Sequence, residues 1–357
     1  MPAERTDYMR EIKQGHEVLA YVFSRAIPNV TEKDLHRLTG LNISFGLVKD
    51  DRVDFSRIAP HLGCLPRYRA VNPDLRIVVS IGGWGAGGFS EACSTEEGRR
   101  AFVSSGVELM LQYDLDGLDI DWEYPTCSDA GIASDPHDTE RFTILMTMLR
   151  AEFDRLEKES GRHYYLSAAV PAGSPSYIEC EKIAPLLDYL QLMTYDMNGD
   201  WSPRTGHHTN LYPSKIDVGG FSCAQAVEKY TAAGFKRENI LLGAAFYPRC
   251  RSGFDEVTNH GLYCIPRPRD KAQDAPRPRF DVARMIKTGG YDGFVRYWDD
   301  DAKAPWAFDG NTFASYDDPE SIRCKMQYIR ENGLLGIMFW CYGSGADDEL
   351  ISAMTEE

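Results

Sequence analysis

The run Asp114-Leu-Asp-Gly-Leu-Asp-Ile-Asp-Trp-Glu-Tyr-Pro125 alternates Asp119, Asp121 and Glu123 with Leu118, Ile120 and Trp122. A period of two is the pattern of a β-strand, whose successive side chains point to opposite faces. The three acids therefore share one face and the three apolar residues share the other. Gly117 and Pro125 bracket the run, and Asp116 stands just before it. Carboxylates this close cannot all ionise, so at least one is expected to hold a proton near neutral pH and to be available as a donor. Three readings fit: a solvated edge strand whose charges discourage aggregation, a divalent-cation site built from carboxylate oxygens, or a proton-donating acid in a catalytic site. The apolar opposite face speaks against the first, and spacing alone does not exclude the second.

Working outward, residues 17–24 (Glu-Val-Leu-Ala-Tyr-Val-Phe-Ser) read as a first buried strand and Leu41-Asn-Ile-Ser-Phe-Gly-Leu-Val48 as a second. Arg76-Ile-Val-Val-Ser-Ile-Gly-Gly83 reads as a third, and Ser94-Thr-Glu-Glu97 offers a capping box for a helix running to about Tyr113. The acidic run is the fourth strand. An amphipathic helix from about Thr139 to Glu159 follows, then strands at Tyr164–Val170, Tyr189–Asp196, Ile240–Tyr247 and Gly336–Tyr342, with a helix near 223–233. Eight buried strands, mostly separated by helical segments, predict an α/β fold, the parallel (β/α)8 barrel. The gap between strands seven and eight is too long for one helix and holds Arg-Pro-Arg, Gly-Gly-Tyr-Asp-Gly and the aromatics Tyr291, Phe294, Tyr297, Trp298 and Trp306. Residues 250–315 are therefore expected to form an inserted α+β module, with 1–249 and 316–357 forming the barrel. Active sites of such barrels lie at the C-terminal ends of the strands. Glu123, Tyr195, Asp196, Tyr247 and Trp340 fall at or near those ends, and Tyr21 lies in the later half of strand one.

The composition sets limits. The chain has 357 residues, 43% apolar and 26% charged, as a globular protein does. Its formal net charge of -15 argues against nucleic acid or an anionic membrane as partner and is indifferent to a neutral polymer. The polar N-terminus lacks the apolar core of a signal peptide, so the chain as written is expected in the cytosol, or outside the cell if a leader was removed. Nine scattered cysteines fit reduced thiols; Cys250 and Cys264 are the one pair for which a bridge is conceivable. His207-His208 reads as a loop pair, and no histidine pairing at helical metal-ligand spacing is present.

Asp116-Gly-Leu-Asp-Ile-Asp-Trp-Glu123 resembles the Asp-x-x-Asp-x-Asp-x-Glu signature of glycoside hydrolase family 18, the chitinase family. Ser80-Ile-Gly-Gly-Trp84 is similar to its strand-three element, Met193-Thr-Tyr-Asp196 with Asn198-Gly-Asp-Trp201 to its strand-six element, and Phe246-Tyr-Pro-Arg249 to its Phe-Tyr-Gly-Arg, with Pro248 in place of Gly. Trp298-Asp-Asp and Tyr316-Asp-Asp-Pro-Glu-Ser321 resemble the insertion and following helix start of the chitinase-type subgroup, in which the insertion makes one wall of a deep cleft. The resemblance implies a retaining, substrate-assisted hydrolysis of β-1,4-linked N-acetylglucosamine, an exception to the rule of two carboxylates. Glu123 would be the acid, Asp121 would hydrogen-bond it and then the acetamido N–H, and Asp119 would share a proton with Asp121. Tyr195 would donate to the acetamido group and Asp196 would hold the sugar. Sugars stack their C–H faces on aromatic rings. Trp340 would floor the reacting subsite, and Trp84, Trp201 and Tyr247 would flank it. Tyr21 and Arg249 are further substrate-binding candidates, each with an equal case as a core tyrosine and a salt-bridge partner, while Ser80, Gly82 and Gly83 shape the strand-three turn.

No cofactor or metal is implied, the expected partner is chitin or its oligosaccharides, and a monomer is expected. The rivals are a sugar-binding lectin, which in this family typically lacks the catalytic Glu, and an endo-N-acetylglucosaminidase acting on N-glycan or cell-wall sugars.

Overall fold

The structure is a computed structural model that describes residues 15–217, 220–267 and 279–356. The polar stretch 1–14 and parts of the Arg-Pro-Arg segments at 267–269 and 277–279 lie outside the described residues. Eight parallel strands form one closed sheet: β1 (Glu17–Phe23), β2 (Gly40–Lys49), β3 (Arg76–Gly82), β4 (Gly117–Asp121), β5 (Tyr165–Pro171), β6 (Tyr189–Met193), β7 (Ile240–Ala245) and β8 (Gly336–Tyr342). Each pairs with its sequence neighbour, and β1 pairs with both β2 and β8, which closes the barrel. The predicted eight-stranded barrel is therefore what the chain folds into.

These strands are buried on both faces because helices cover the outside while side chains fill the inside. The outer layer takes Leu118, Ile120 and Trp122 of the acidic run into the large core between strands and helices, where Trp122 stacks on Phe89 with ring centroids 5.2 Å apart. The inner face holds a smaller cluster that includes Leu19, Tyr21, Tyr189, Met193 and Met338, with Tyr195 and Trp340 packed against it. Alternation thus carries Asp119 and Asp121 into the barrel interior, where both are buried.

Several local expectations shift. The helix after β3 starts one residue later than the capping box suggested: Thr95 is the cap, its hydroxyl accepting from the Gly98 amide, and the helix spans Glu96–Gln112. Gly98, at the position where a capping box needs Glu or Gln, leaves the cap one-sided. Asp116 does not extend the acidic row. It accepts from the Ile77 amide and pairs with Arg69 and Arg162, before the first residue of β4. Gly82 has φ +123°, and a Cβ there would meet the Asp121 carbonyl oxygen at 2.0 Å, so the end of β3 needs glycine to lie against β4.

Between β7 and β8 a second, antiparallel sheet joins strand Arg249–Ser252 to Thr312–Ser315, then Ala304–Phe308, Phe294–Asp299 and the short Gly290–Tyr291. Its own core gathers Phe254, Leu262, Trp306, Phe308 and Phe313. Cys250 and Cys264 are free thiols, as are the other seven cysteines; Cys264 Sγ lies beside Thr258 instead. No helix among the described residues is long and apolar enough to cross a membrane.

Candidate active site

At the C-terminal mouth of the barrel the structure brings together Asp119, Asp121, Glu123, Tyr195, Asp196, Tyr247, Arg249 and Trp340. β4 ends at Asp121, so Glu123 stands two residues beyond the strand and not on it. Tyr195 and Asp196 likewise follow the end of β6, Asp196 holds φ 58°, and its carboxylate meets Tyr247 and Arg249, both beyond the end of β7.

Asp119 is the floor of the acidic row. Register places Ser80, Asp119 and Ser167 side by side on β3, β4 and β5. Ser167 Oγ at 2.7 Å and Gln191 Nε2 at 2.9 Å donate to Oδ1, while Ser80 Oγ at 2.7 Å and Tyr21 Oη at 2.9 Å donate to Oδ2. Burial raises its carboxyl above the usual range, and these four donors oppose that by favouring the charged form. Tyr21 is almost fully buried with its hydroxyl committed to Asp119, which makes it a support of the acid row and not a wall of the sugar site.

Asp121 is the opposite case. Its Oδ1 is buried without a hydrogen-bond partner among the described residues, and burial together with the charges of Glu123 and Asp119 pushes its carboxyl well above the usual range. The expected Asp121–Glu123 hydrogen bond is therefore not formed through Oδ1 in this structure. The four donors on Asp119 favour its charged form, whereas no hydrogen bond does so at Asp121 Oδ1. Glu123 is raised by burial, with a further push from Asp196 against a hydrogen bond from Tyr124, to about 7. That is the range of a general acid working near neutral pH.

Asp196 is held well below the usual carboxylate range: burial pushes it up, but His208 and the Arg249 guanidinium outweigh that. Arg249 grips it in a fork, Nε to Oδ1 at 2.7 Å and Nη2 to Oδ2 at 2.5 Å, and Tyr247 Oη donates to Oδ1 at 2.7 Å. Arg249 is thus the salt-bridge partner that one of its two readings foresaw. Its guanidinium also lies 5.1 Å from the Trp201 ring. His207-His208 lies in a loop, as expected, but with both rings buried: His207 Nε2 faces Asp299 Oδ2 at 3.3 Å, and His208 Nδ1 lies 3.7 Å from Asp196 Oδ1. Sequence reading missed His208 as a neighbour of the site. Contact between residues twelve apart across a loop leaves no periodic signal.

Trp340 stacks on Phe45 at 5.4 Å and tilts against Tyr21 at 5.8 Å, leaving its ring half-buried at the mouth. Trp84 is 63% exposed and Trp201 61%, so neither is core packing. Trp84 meets Tyr124 edge-on, and Tyr195 meets Tyr247 in the same way. Beside Tyr247 and Arg249 a cavity of about 790 Å³ is lined also by Asp200, Pro248, Cys250 and Tyr291, so Pro248 faces open space where the strand turns into the second sheet. Among the described residues no group of three or more His, Cys, Asp or Glu side chains is placed to hold a metal ion.

The model of the glycosyl hydrolases family 18 matches residues 17–344. Chitinase A1 of Niallia circulans is 32% identical over 300 residues, 79% of this chain and 42% of that protein, and endochitinase 1 of Metarhizium robertsii is 31% identical over 292 residues, 78% and 64%. The chain spans about half the length of the curated relatives it matches. Among solved structures, a family 18 N-acetylglucosaminidase from Paenibacillus barengoltzii superposes with a TM-score of 0.87 at 42% identity, covering 95% of this chain and 99% of the other. By its sequence, its barrel and these relatives, the chain belongs to glycosyl hydrolase family 18.

Proposed function

We propose that the protein is a chitinase-like glycoside hydrolase that cleaves β-1,4-linked N-acetylglucosamine chains or oligomers with retention, using the substrate's own acetamido oxygen as nucleophile. The observation that carries this reading is that Glu123, raised by burial to about 7, stands at the end of the acidic row with the range of a general acid, while the other carboxyls are otherwise engaged. Asp119 is saturated by four donors, Asp196 is neutralised by Arg249, and Asp121 holds a proton on the same stretch as Glu123. This reading gives the attack to the substrate's own acetamido oxygen and not to a second carboxylate.

In the reaction Glu123 transfers its proton to the glycosidic oxygen while the bond from that oxygen to the anomeric carbon breaks. The acetamido carbonyl oxygen closes on the anomeric carbon, giving an oxazolinium ion. Asp121 donates its proton in a hydrogen bond to the new Glu123 carboxylate and accepts the acetamido N–H with its other oxygen. Tyr195 donates its hydroxyl to the acetamido group; burial and the surrounding acids raise that phenol well above its usual range, so it stays a donor. Water then opens the ring and returns a proton to Glu123. Asp196, fixed by Arg249 and Tyr247, binds sugar hydroxyls, and Trp340 supplies the apolar floor with Trp84 and Trp201 as exposed stacking rings. The second sheet, with its core of Phe254, Trp306 and Phe313, stands as one wall of the cleft.

A second reading, an N-acetylglucosaminidase that removes single sugars, is favoured by the full-length similarity to the Paenibacillus barengoltzii enzyme. Product profiles on chitooligosaccharides of defined length separate the two. Oligomeric products mean chain cleavage; monomer alone from the first time point means exo-action. No hydrolysis by the wild type of any N-acetylglucosamine oligomer, with binding retained, would establish a lectin and overturn the proposal.

A further inference from the structure

Behind Asp119 a chain of buried amides runs across the barrel. Gln191 on β6 donates through Nε2 to Asp119 Oδ1 at 2.9 Å, and its other end, Oε1, accepts from Asn42 Nδ2 on β2 at 2.7 Å. Gln191 is fully buried and Asn42 nearly so. An amide can present either its N–H2 or its oxygen to a neighbour, and the second neighbour decides which. With Asn42 donating to Oε1, Gln191 faces Asp119 with hydrogen atoms only. Neither amide has been assigned a part in the chemistry above, and Gln191 sits in the middle of an otherwise apolar strand, Tyr189-Leu-Gln-Leu-Met193.

We propose that Gln191, held in one orientation by Asn42, is a positioning residue that keeps Asp119 a pure hydrogen-bond acceptor and so leaves the proton of the acidic row on Asp121. The inference rests on the reading of Glu123 as acid and Asp121 as its protonated partner. Asp119 and Asp121 lie on the same face of β4, and both are raised by burial. Their difference is the donor set: four hydrogen bonds on Asp119 and none to Asp121 Oδ1. Three of the four donors are hydroxyls. A hydroxyl can turn round and accept from a protonated carboxyl, whereas the Gln191 amide, pinned by Asn42, cannot. It therefore bars the proton from Oδ1, and as a donor it favours the charged form of Asp119 over the protonated one. The other ionisable groups around Asp119 are Asp121 on its own strand, Tyr21 from β1 and Tyr189 from β6, with Arg76 beyond Tyr189 at 4.7 Å from that ring and Glu123 above. β3 and β5 bring the neutral Ser80 and Ser167 directly against Asp119, and their ionisable residues, Arg76 on β3 and Tyr165 on β5, stand together at the start of those strands with the guanidinium 4.5 Å from the Tyr165 ring.

The test is the pH profile of kcat on a soluble chitooligosaccharide for wild type, Gln191→Met, Asn42→Leu and the double variant, each close in volume to the residue replaced. Losing a donor to a carboxylate favours its protonated form. The acid limb of kcat should therefore move up by about one pH unit in Gln191→Met, a roughly tenfold loss below the limb. KM and the alkaline limb should stay put, because Gln191 touches neither substrate nor Glu123. Asn42→Leu should move the acid limb in the same direction, and the double variant should move it no further than Gln191→Met, since both act on one contact. A merely structural role would lower the melting temperature without displacing the limb. An unmoved acid limb in folded Gln191→Met would overturn the proposal, and an unmoved limb in Asn42→Leu alone would overturn the part given to Asn42. Glu123→Gln serves as the separate control: if it stays active, the reading of the acid fails, whereas an inactive Glu123→Gln with unmoved limbs in the others fails this inference alone. Carbon-13 spectra of the wild type labelled at aspartate carboxyls give a check that needs no folded variant at Gln191. Asp119 should be ionised and Asp121 protonated at pH 6; the reverse would sink the idea.

Discussion

Replacing Arg249 with Met removes the fork that holds Asp196 while keeping an apolar stem of similar length against Trp201 and Tyr247. The two side chains are 30% and 35% exposed, so the pair lies between a surface ion pair, worth at most about 1 kcal/mol, and a buried one, whose breakage costs about 3–5 kcal/mol. About 2 kcal/mol is the expected loss, which in transition-state binding is a fall of about thirtyfold in kcat/KM. The pH profile should move as well. Asp196 has its folded pKa depressed, so the pairing stabilises the fold above the ordinary carboxylate range and loses that effect as pH falls through the lower, folded value. Without Arg249 the Asp196 carboxyl returns toward its ordinary value, and the acid limb moves up. Its charge, where still present, is then less neutralised beside Glu123 and favours the protonated acid, so the alkaline limb moves up too. Steady-state kinetics from pH 3 to 9 on chitotetraose, with denaturant unfolding at pH 7 to exclude misfolding, read both effects. A folded Arg249→Met with wild-type kcat/KM and unmoved limbs would refute the view that Asp196 works only when held by this arginine.

Other outcomes follow from the same geometry. Because burial raises Glu123 in the folded state to about 7 from its usual 4.5, that residue destabilises the fold progressively as pH rises between those values, by on the order of 3 kcal/mol. Glu123→Gln should therefore be more stable than wild type at pH 8 and little different at pH 4; equal stability at both would mean that Glu123 is not a raised acid. Trp84→Ala and Trp201→Ala, both changes at rings more than half exposed, should alter fold stability by no more than about 0.5 kcal/mol, yet calorimetric titration should show weaker binding of longer oligomers. Thiol titration under non-reducing denaturation should count nine free cysteines per chain; a count two lower would mean that a bridge forms.

The acidic run was legible because its period of two survives in the fold: Leu118 and Ile120 do enter the outer core, and Asp119 and Asp121 do point inward. The eight strands were legible because parallel barrel strands, buried on both faces, stand out as apolar runs. What stayed hidden depends on contacts between strands far apart in the chain. Asp116 looked like a member of the acidic row until Arg69 and Arg162 were seen to claim it. The choice between Arg249 as sugar ligand and as Asp196 partner could not be made from spacing, and neither could the burial of His208. Asn42, Ser167 and Gln191 carry a further signal, each being a polar residue between apolar neighbours in a barrel strand. In a barrel strand such a residue faces the interior and must find a partner there, and all three lead to Asp119.

The central claim is that the substrate's acetamido oxygen, and no protein carboxylate, attacks the anomeric carbon. The most direct measurement compares hydrolysis of fully acetylated oligomers with that of oligomers carrying one unacetylated glucosamine at the reacting position. Without the carbonyl oxygen the oxazolinium ring cannot close, so the bond beyond that unit should resist cleavage while binding persists, and a thiazoline analogue of the oxazolinium ion should inhibit the enzyme more tightly than substrate binds. Equal cleavage of the deacetylated bond, with no inhibition by the thiazoline, would show that a protein carboxylate is the nucleophile and would contradict the account.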